Sequence, residues 1–142
     1  MSIIFALLSG VFAALVAIFT KLGFNEQKVD PTMATALRAM IMFLFLAGVT
    51  FIAGKYRDFD FKGFSGKEWF FLALSGIAGA FSWLFYFIAL QDGKTVTVVA
   101  LDRLSIVFTA IFAFFLLQES IGVKEIVGMI LMVGGAILLS LK

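Results

Sequence analysis

Three charged residues lie inside apolar stretches of the sequence, in places where a membrane-spanning helix is expected. Arg38 lies about six residues into the second stretch, and Asp102 and Arg103 lie a similar distance into the fourth. At a rise of 1.5 Å per residue, about six residues put Arg38 roughly 9 Å into the helix. An unpaired charge costs about 2.5–3.5 kcal/mol at the bilayer centre and less near the interface. We therefore expect Asp102 to pair with Arg38 or Arg103 and the group to face the protein interior.

Such a group of charges is consistent with two roles, which the residues leave open. It is either a structural ion pair with arginines that reach toward the interface, or a polar constellation in a solute pathway. Asp102 is the one candidate for proton coupling, because it is the only acidic residue deep inside a stretch. Ser82 and Tyr86 carry hydroxyl groups that could line a cavity, and Ser105 extends the polar face of the helix that carries Asp102.

Other chemistry is excluded by the residue types that the chain lacks. It contains no His and no Cys, so zinc and haem sites, disulfides, thiol nucleophiles and Ser–His triads are not expected. The remaining Ser, Asp and Tyr residues form no recognisable nucleophile–base pair. We predict no catalytic residue, no cofactor and no metal, and therefore no enzyme. No basic stripe lies on a water-exposed element, so nucleic-acid binding is not expected either.

The composition identifies the elements that must position these side chains. Of the 142 residues, 63% are apolar and 14% are charged, against roughly 45–50% and about 25% in soluble domains. Five apolar stretches have the length of a membrane-spanning helix and lack the alternation of a barrel strand. They are 3–20, 33–53, 69–90, 95–117 and 123–141. We predict an all-α integral membrane fold, a single domain over 1–142 with five transmembrane helices and termini on opposite faces.

Short polar segments join the five stretches, and some carry helix signals. Asp30 followed by Pro31 predicts the start of the second helix, and Gly93 marks a tight turn between the third and fourth. Ser120 is predicted to be the N-cap of the last helix, and Glu119 to have a capping or interface role. The first stretch lacks the Lys/Arg region of a signal peptide, so we interpret it as a retained span.

The charges in the loops bear on how the protein inserts. Five Lys and Arg residues lie on the side of the N-terminus, four lie on the other side and two lie inside spans, which accounts for all 11. The positive-inside rule therefore gives little preference. Either the loop 54–68 sets a single orientation weakly, or copies insert in both orientations. The loop residues are Lys55, Arg57, Lys62, Lys67 and Lys124 on the N-terminal side, and Lys21, Lys28, Lys94 and Lys142 on the other.

Small and polar residues recur at helical spacing on three of the stretches. Lipid gives helices no hydrophobic reason to associate, so small residues that allow close backbone approach predict packing faces. The 19 Phe and 2 Trp residues are interpreted as lipid-facing bulk and interfacial anchors rather than as a drug pocket. The spaced residues are Ala6, Gly10, Ala13, Ala17 and Thr20 in the first stretch, Ser75, Gly79, Ser82 and Tyr86 in the third, and Gly128 and Gly135 in the fifth.

Five motifs along the chain resemble those of a known family in their order and spacing. They are Lys21-Leu22-Gly23, Ala34-Thr35-Ala36-Leu37-Arg38, the runs 75–90 and 99–105, and Phe115-Leu116-Leu117-Gln118-Glu119 with the glycines that follow. With them the chain resembles the EamA-type branch of the drug/metabolite transporter superfamily, specifically its short single-domain members. The resemblance covers nearly the whole chain.

Three differences from that superfamily limit what the resemblance implies. Larger relatives often carry a proline in the fourth span, where this chain has Ser105 or a neighbour. Close short relatives usually have Asp-Lys where this chain has Asp102 and Arg103, a difference that keeps the charge. The first span has no acidic residue, so the proton/drug exchange of the small multidrug exporters is not implied.

The resemblance implies a transporter built from one EamA-type repeat. Full-length relatives hold two inverted repeats with the solute path between them, so a single repeat would need a partner. It therefore implies a homodimer, antiparallel if copies insert both ways, that moves a small solute across the inner or plasma membrane, with an ion gradient as a potential driving force. The alternative is a non-transporting membrane scaffold or accessory subunit, which explains the packing faces equally well. The implied pathway residues are Arg38, Ser82, Tyr86, Asp102, Arg103 and Ser105.

Overall fold

The computed structural model of the protein describes residues 2–24, 29–57, 59, 60 and 63–141. Within these ranges the chain forms helices and turns and no strand. The helices are α1 (Ser2–Phe24), α2 (Pro31–Ile52), α3 (Gly66–Asp92), α4 (Thr95–Asp102), α5 (Ser105–Phe112) and α6 (Val123–Ser140), and a π-helical segment (Ala113–Leu117) follows α5.

Five helical stretches are long and apolar enough to cross a membrane, which confirms the predicted all-α fold with five spans. They are Ser2–Gly23, Pro31–Ile52, Gly66–Asp92, Thr95–Leu117 and Val123–Ser140. Three of the charges on which the orientation prediction depends, Lys28, Lys62 and Lys142, lie outside the described residues.

Side-chain caps set where α2 and α3 begin. The Asp30 Oδ1 accepts a 2.9 Å hydrogen bond from the Met33 N–H, and Pro31 takes the first helical position, so the predicted helix start is confirmed. Before α3, Ser65 and Glu68 form a capping box. The Glu68 Oε2 accepts from the Ser65 N–H at 2.7 Å, and the Ser65 Oγ accepts from the Glu68 N–H at 3.3 Å. Because this box precedes the apolar run, α3 begins three residues before the predicted span.

The fourth span is interrupted between α4 and α5, where the sequence predicts one helix over 95–117. The Leu104 N–H donates to the Leu101 carbonyl at 3.0 Å, the Ile106 N–H to Arg103 at 3.2 Å, and the Val107 N–H to Leu104 at 2.9 Å. Each of these bonds spans three residues rather than four, which is the pattern of a tighter 3₁₀ turn. The single proline of the chain lies at the start of α2, so the interruption forms without one.

A residue in the left-handed region ends the fourth span. After the π-helical segment, Gln118 adopts a φ of 56°, and the backbone N–H groups of Gln118 and Glu119 both donate to the Ala113 carbonyl. Such a left-handed residue is a common helix ending, because it turns following N–H groups back onto the last carbonyls. The chain therefore leaves the fourth span in a defined direction.

The predicted N-cap of the last helix is wrong. α6 begins at Val123 with Gly122 in the N-cap position, two residues beyond Ser120. The Glu125 carboxylate folds back toward this end, since a Cβ built on Gly122 would lie 2.5 Å from the Glu125 Oε2. A negative charge is favourable at the positive end of the helix dipole. Glu125 in the first turn therefore takes the stabilising role that the sequence assigns to Ser120.

The chain divides into two compact units, and the division falls within α3 after Ile88. The first unit consists of Met1–Asn25 and Ala89–Lys142, and the second of Glu26–Ile88. In the first unit, α4 packs against α6 and α1. The Thr97 hydroxyl donates a 3.1 Å hydrogen bond to the Leu139 carbonyl, which ties α4 to the end of α6. The buried apolar side chains of this unit are Ala17, Leu90, Val98 and Ala136.

The predicted packing faces are only partly used within the chain. On α1, Ala17 is buried in the first unit, which confirms the C-terminal half of that face. A Cβ built on Gly10, Gly79, Gly128 or Gly135 would meet nothing within 4 Å. These glycines therefore border open space, and the close helix approach that the sequence predicts for them does not occur within one chain.

Lys21 joins α1 to the end of α3 through three hydrogen bonds. Its Nζ donates to the carbonyls of Leu90 at 2.7 Å, Gln91 at 3.1 Å and Gly93 at 3.1 Å. The last carbonyls of a helix have no partner within it and carry the negative end of the helix dipole. The ammonium group supplies donors and positive charge at this point, so Lys21 caps α3 from another helix.

The turn that Lys21 caps has room only for glycine at one position. A Cβ built on Gly93 would lie 2.5 Å from the Val98 Cγ2 and 2.6 Å from the Ala89 carbonyl oxygen. The Gly93 N–H donates to that same carbonyl at 2.9 Å, which closes the end of α3. The predicted tight turn is confirmed. It packs against the buried Val98 side chain of α4.

We expect Lys21→Met to lower the free energy of unfolding by at least about 2 kcal/mol, because it leaves part-buried carbonyls without a donor. The measurement is denaturant unfolding of the purified protein in detergent micelles, followed by circular dichroism. Lys94→Met is the matched control, because Lys94 is exposed and its side chain makes no cap hydrogen bond. Equal unfolding midpoints for the two variants would contradict the capping role of Lys21.

Candidate functional site

The second unit places two of the predicted site residues, Arg38 and Tyr86, around a tryptophan. The Arg38 Cζ lies 3.4 Å from the centroid of the Trp83 ring and 5.6 Å from that of Phe87. A cation within about 6 Å of a ring centroid is attracted by the electrons of the ring face. α2 carries the arginine and α3 the tryptophan, so this stack joins the two helices.

Three aromatic residues on one face of α3 hold this stack in place. Trp83, Tyr86 and Phe87 follow at i, i+3 and i+4, the spacing of neighbours on a helix surface. Trp83 meets Tyr86 at 5.5 Å and 84°, and Phe87 at 5.7 Å and 80°, both edge to face. The Phe87 ring is 2% exposed. A buried ring therefore fixes the orientation of the indole on which Arg38 rests.

The contact of Trp83 with Arg38 is not part of the prediction that the tryptophans are interfacial anchors. This residue is half-buried under Arg38, whereas Trp69, at the start of α3, is 42% exposed. The sequence held a usable signal, because an arginine inside a span needs compensation and tryptophan is the best cation–π partner. The neighbouring Ser82, which the sequence predicts as a pathway residue, is exposed.

A cavity of about 390 Å³ lies between α2 and α3 beside the stack. Arg38 and Trp83 both line it, and Ser75 contributes a hydroxyl group. The glycines of α3 border it as open space, because a Cβ on Gly76 or Gly79 would meet nothing within 4 Å. The rest of the lining is small or apolar and consists of Thr35, Ala39, Met42, Phe43 and Ala80.

The first unit places the other three predicted site residues around the interruption of the fourth span. Asp102 ends α4, Arg103 lies in the turn, and Ser105 begins α5, and all three are exposed. The expected pairing of Asp102 with Arg103 does not form, and no described residue of the first unit makes an ion pair with Asp102. The reason is geometric, since consecutive residues of a helix do not face each other.

A second cavity, of about 540 Å³, lies between α5 and α6 in the first unit. Two carboxylates, Glu119 and Glu125, line it together with the hydroxyl groups of Thr109 and Ser120. The Thr109 hydroxyl donates to the Ser105 carbonyl at 2.9 Å. The sequence carries no signal for this cavity, because its carboxylates come from the two sides of the loop that follows Gln118. Among the described residues no group of three acidic side chains forms a metal site.

Comparison with known proteins shows which family and which relative this chain is similar to. Residues 1–141 match the model of the EamA-like transporter family. A Sinorhizobium protein described as an uncharacterized transporter in the cobO 3′ region is 38% identical over 135 residues, which cover 95% of this chain and 93% of that protein. No solved structure matches the chain.

We expect Arg38 and Trp83 to be coupled by about 0.5–2 kcal/mol, because the cation–π contact is lost when either partner is removed. The measurement is a double-mutant cycle of Arg38→Gln and Trp83→Leu on the free energy of unfolding in detergent. The same cycle on Arg57 and Trp69 is the control, because Arg57 is exposed and the contact of Trp69 is with Phe64. A coupling energy indistinguishable from that of the control pair would contradict the stack.

Proposed function

From the fact that this chain belongs to the EamA-like transporter family, we propose that it carries a small solute across the membrane as a homodimer of five-helix subunits. The chain is a multi-pass membrane protein by the length and composition of its helices. The observation that carries the proposal is this family match, and the fourth span adds a 3₁₀ turn at which Asp102, Arg103 and Ser105 lie.

The proposed pathway places a carboxylate at this turn. Asp102 is the coupling or solute-binding group, and its position at the end of α4 leaves it exposed rather than locked in an ion pair of its own unit. Arg38 or Arg103 receives an anionic solute. The full set of proposed pathway residues is Arg38, Ser82, Tyr86, Asp102, Arg103 and Ser105.

The extent of the family match supports the dimer. Inverted-repeat transporters bind solute at the interface of their two repeats, and the EamA-like family model matches residues 1–141 as one domain. The Sinorhizobium relative is hardly longer, since the match covers 93% of it. A second copy supplies the missing repeat. It also covers helix faces that border open space in one chain, such as those at Gly128 and Gly135 of α6.

The proposed dimer is antiparallel, and its location is the inner or plasma membrane. An odd number of spans places the two termini on opposite faces. The five Lys and Arg on one side against four on the other leave both orientations accessible to the same sequence. Two copies inserted in opposite directions then reproduce the symmetry of an inverted repeat.

We expect Asp102→Asn to lower pH-gradient-driven uptake at least about tenfold, because an amide cannot bind and release the coupled proton. The measurement is flux into proteoliposomes of a solute first identified by solid-supported-membrane currents with amino acids, nucleosides, carboxylic acids and organic cations. Asp92→Asn is the control, because Asp92 is exposed at the end of α3. Equal flux and equal pH dependence in wild type and Asp102→Asn would remove Asp102 from the mechanism.

We expect each terminus to be found on both sides of the membrane, because the loop charges favour neither orientation. The measurement is a topology map with reporters that are active on only one side, fused to the N-terminus or the C-terminus of the whole chain. Adding two lysines to the loop 54–68 should bias the distribution toward one orientation. A single orientation in the wild type, together with crosslinks to a fixed heteromeric partner, would favour an accessory subunit instead.

A further inference from the structure

We propose that the cavity between α2 and α3 binds the oxyanion group of a small organic anion, with Arg38 as the residue that recognises it. The inference rests on the proposed function, and it assigns the chemical class of the transported solute. It follows from the way Arg38 is held, from the charge balance of the second unit and from the shape of the cavity.

The stack on Trp83 leaves the binding edge of Arg38 free. A guanidinium group is planar and carries its five N–H donors in that plane. Because the Cζ lies 3.4 Å from the ring centroid, the indole occupies one face of the group and not its edge. Within the part of the chain that the structure describes, the Arg38 guanidinium makes no hydrogen bond or ion pair. The donors are therefore available to a ligand.

The positive charge of Arg38 favours an anionic ligand. The described carboxylates of the second unit belong to Asp30, Asp60 and Glu68, and Asp30 and Glu68 are engaged at the starts of α2 and α3. The aromatic ring compensates only part of the cost of a cation inside a span, about 0.5–2 kcal/mol. A carboxylate or phosphate that receives two parallel N–H bonds from a guanidinium edge supplies the rest.

Aromatic contacts fix the position of Arg38 without a ligand. Trp83 is held edge to face by Tyr86 and by the buried Phe87, and Arg38 rests on Trp83. A side chain that is already ordered loses less entropy when it binds, so more of the contact energy appears as affinity. An arginine that recognises a ligand is expected to be held in place in this way. An arginine that only reaches toward the interface does not require these contacts.

The cavity has the volume of a small-molecule site. Its volume of about 390 Å³ lies near the lower end of the roughly 300–1,000 Å³ found for small-molecule sites. Ala39 of α2 and Gly76, Gly79 and Ala80 of α3 border it, and Ser75 adds a hydroxyl group. This lining suits a small, flat organic body attached to the oxyanion. A lipid headgroup carries the same oxyanion chemistry, so the test must separate the two sources.

The test uses Trp83 as its own reporter. In the Trp69→Phe background Trp83 is the only tryptophan, and its emission responds to an ion bound at Arg38. The whole chain in phosphatidylcholine nanodiscs is titrated with benzoate, and with benzamide and benzylammonium as neutral and cationic probes of similar size. We expect a saturable change with benzoate alone. Arg38→Gln should raise the apparent Kd about tenfold or more, because it removes a charge-assisted contact.

Two further variants keep the result interpretable. Arg38→Lys should bind benzoate more weakly than wild type and more tightly than Arg38→Gln, because lysine keeps the charge without the planar edge. Gly79→Leu should abolish the benzoate response without lowering thermal stability. The new side chain fills open space, and replacing a helical glycine favours the helix. Unchanged benzoate affinity in Arg38→Gln, or an equal response to benzylammonium, would overturn the inference.

The outcomes also separate this inference from the proposed function. A response to added phosphatidylglycerol with none to benzoate would assign the oxyanion to lipid and overturn the solute class. Flux of other solutes without benzoate binding would overturn the inference and leave transport standing. Benzoate binding without flux of any solute in the panel would support the site and count against transport.

Discussion

A backbone carbonyl that is shielded from water needs a hydrogen-bond donor, and this constraint governs the first unit of the protein. The carbonyls at the end of α3 have no donor within that helix. The Lys21 ammonium of α1 donates three hydrogen bonds to carbonyls there and in the turn that follows. The Gly93 turn that follows lies against Val98 of α4, which packs in turn on α1 and α6. One cation thus determines where the third span ends and how the fourth begins.

The two units hold a part-buried cation in different ways. Lys21 gives its donors to backbone carbonyls and is left with none to offer. Arg38 gives the face of its guanidinium to Trp83 and keeps its donors. The first arrangement is structural, because both partners are satisfied within the chain. The second arrangement leaves N–H donors for a ligand, and it is the feature of the second unit on which the proposed anion site depends.

The elements could be predicted from the sequence more completely than the contacts between them. Hydropathy reveals five spans because length and apolar content are local properties, and the cap at Asp30 is local in the same sense. The role of Lys21 and the stack of Trp83 depend on which helices become neighbours, and the composition does not state that. Ser120 is not the N-cap, because α6 begins at Val123 with Gly122 in the N-cap position. The position of Asp102 inside a span can be predicted from the sequence, but the expected pair with Arg103 does not form among the described residues, because consecutive helix residues do not face each other.

The interruption of the fourth span also differs from a proline kink in its reversibility. A proline removes a donor permanently and blocks the preceding carbonyl, so its bend is fixed by covalent structure. Here every residue from Leu101 to Val107 keeps its N–H, and three of them bond to the carbonyl three residues back. The N–H groups of the same residues can donate instead to the carbonyl four residues back. Since a 3₁₀ turn rises about 2.0 Å per residue and an α-turn about 1.5 Å, that exchange shortens and rotates the span, moving Asp102 relative to α5 without breaking any covalent constraint.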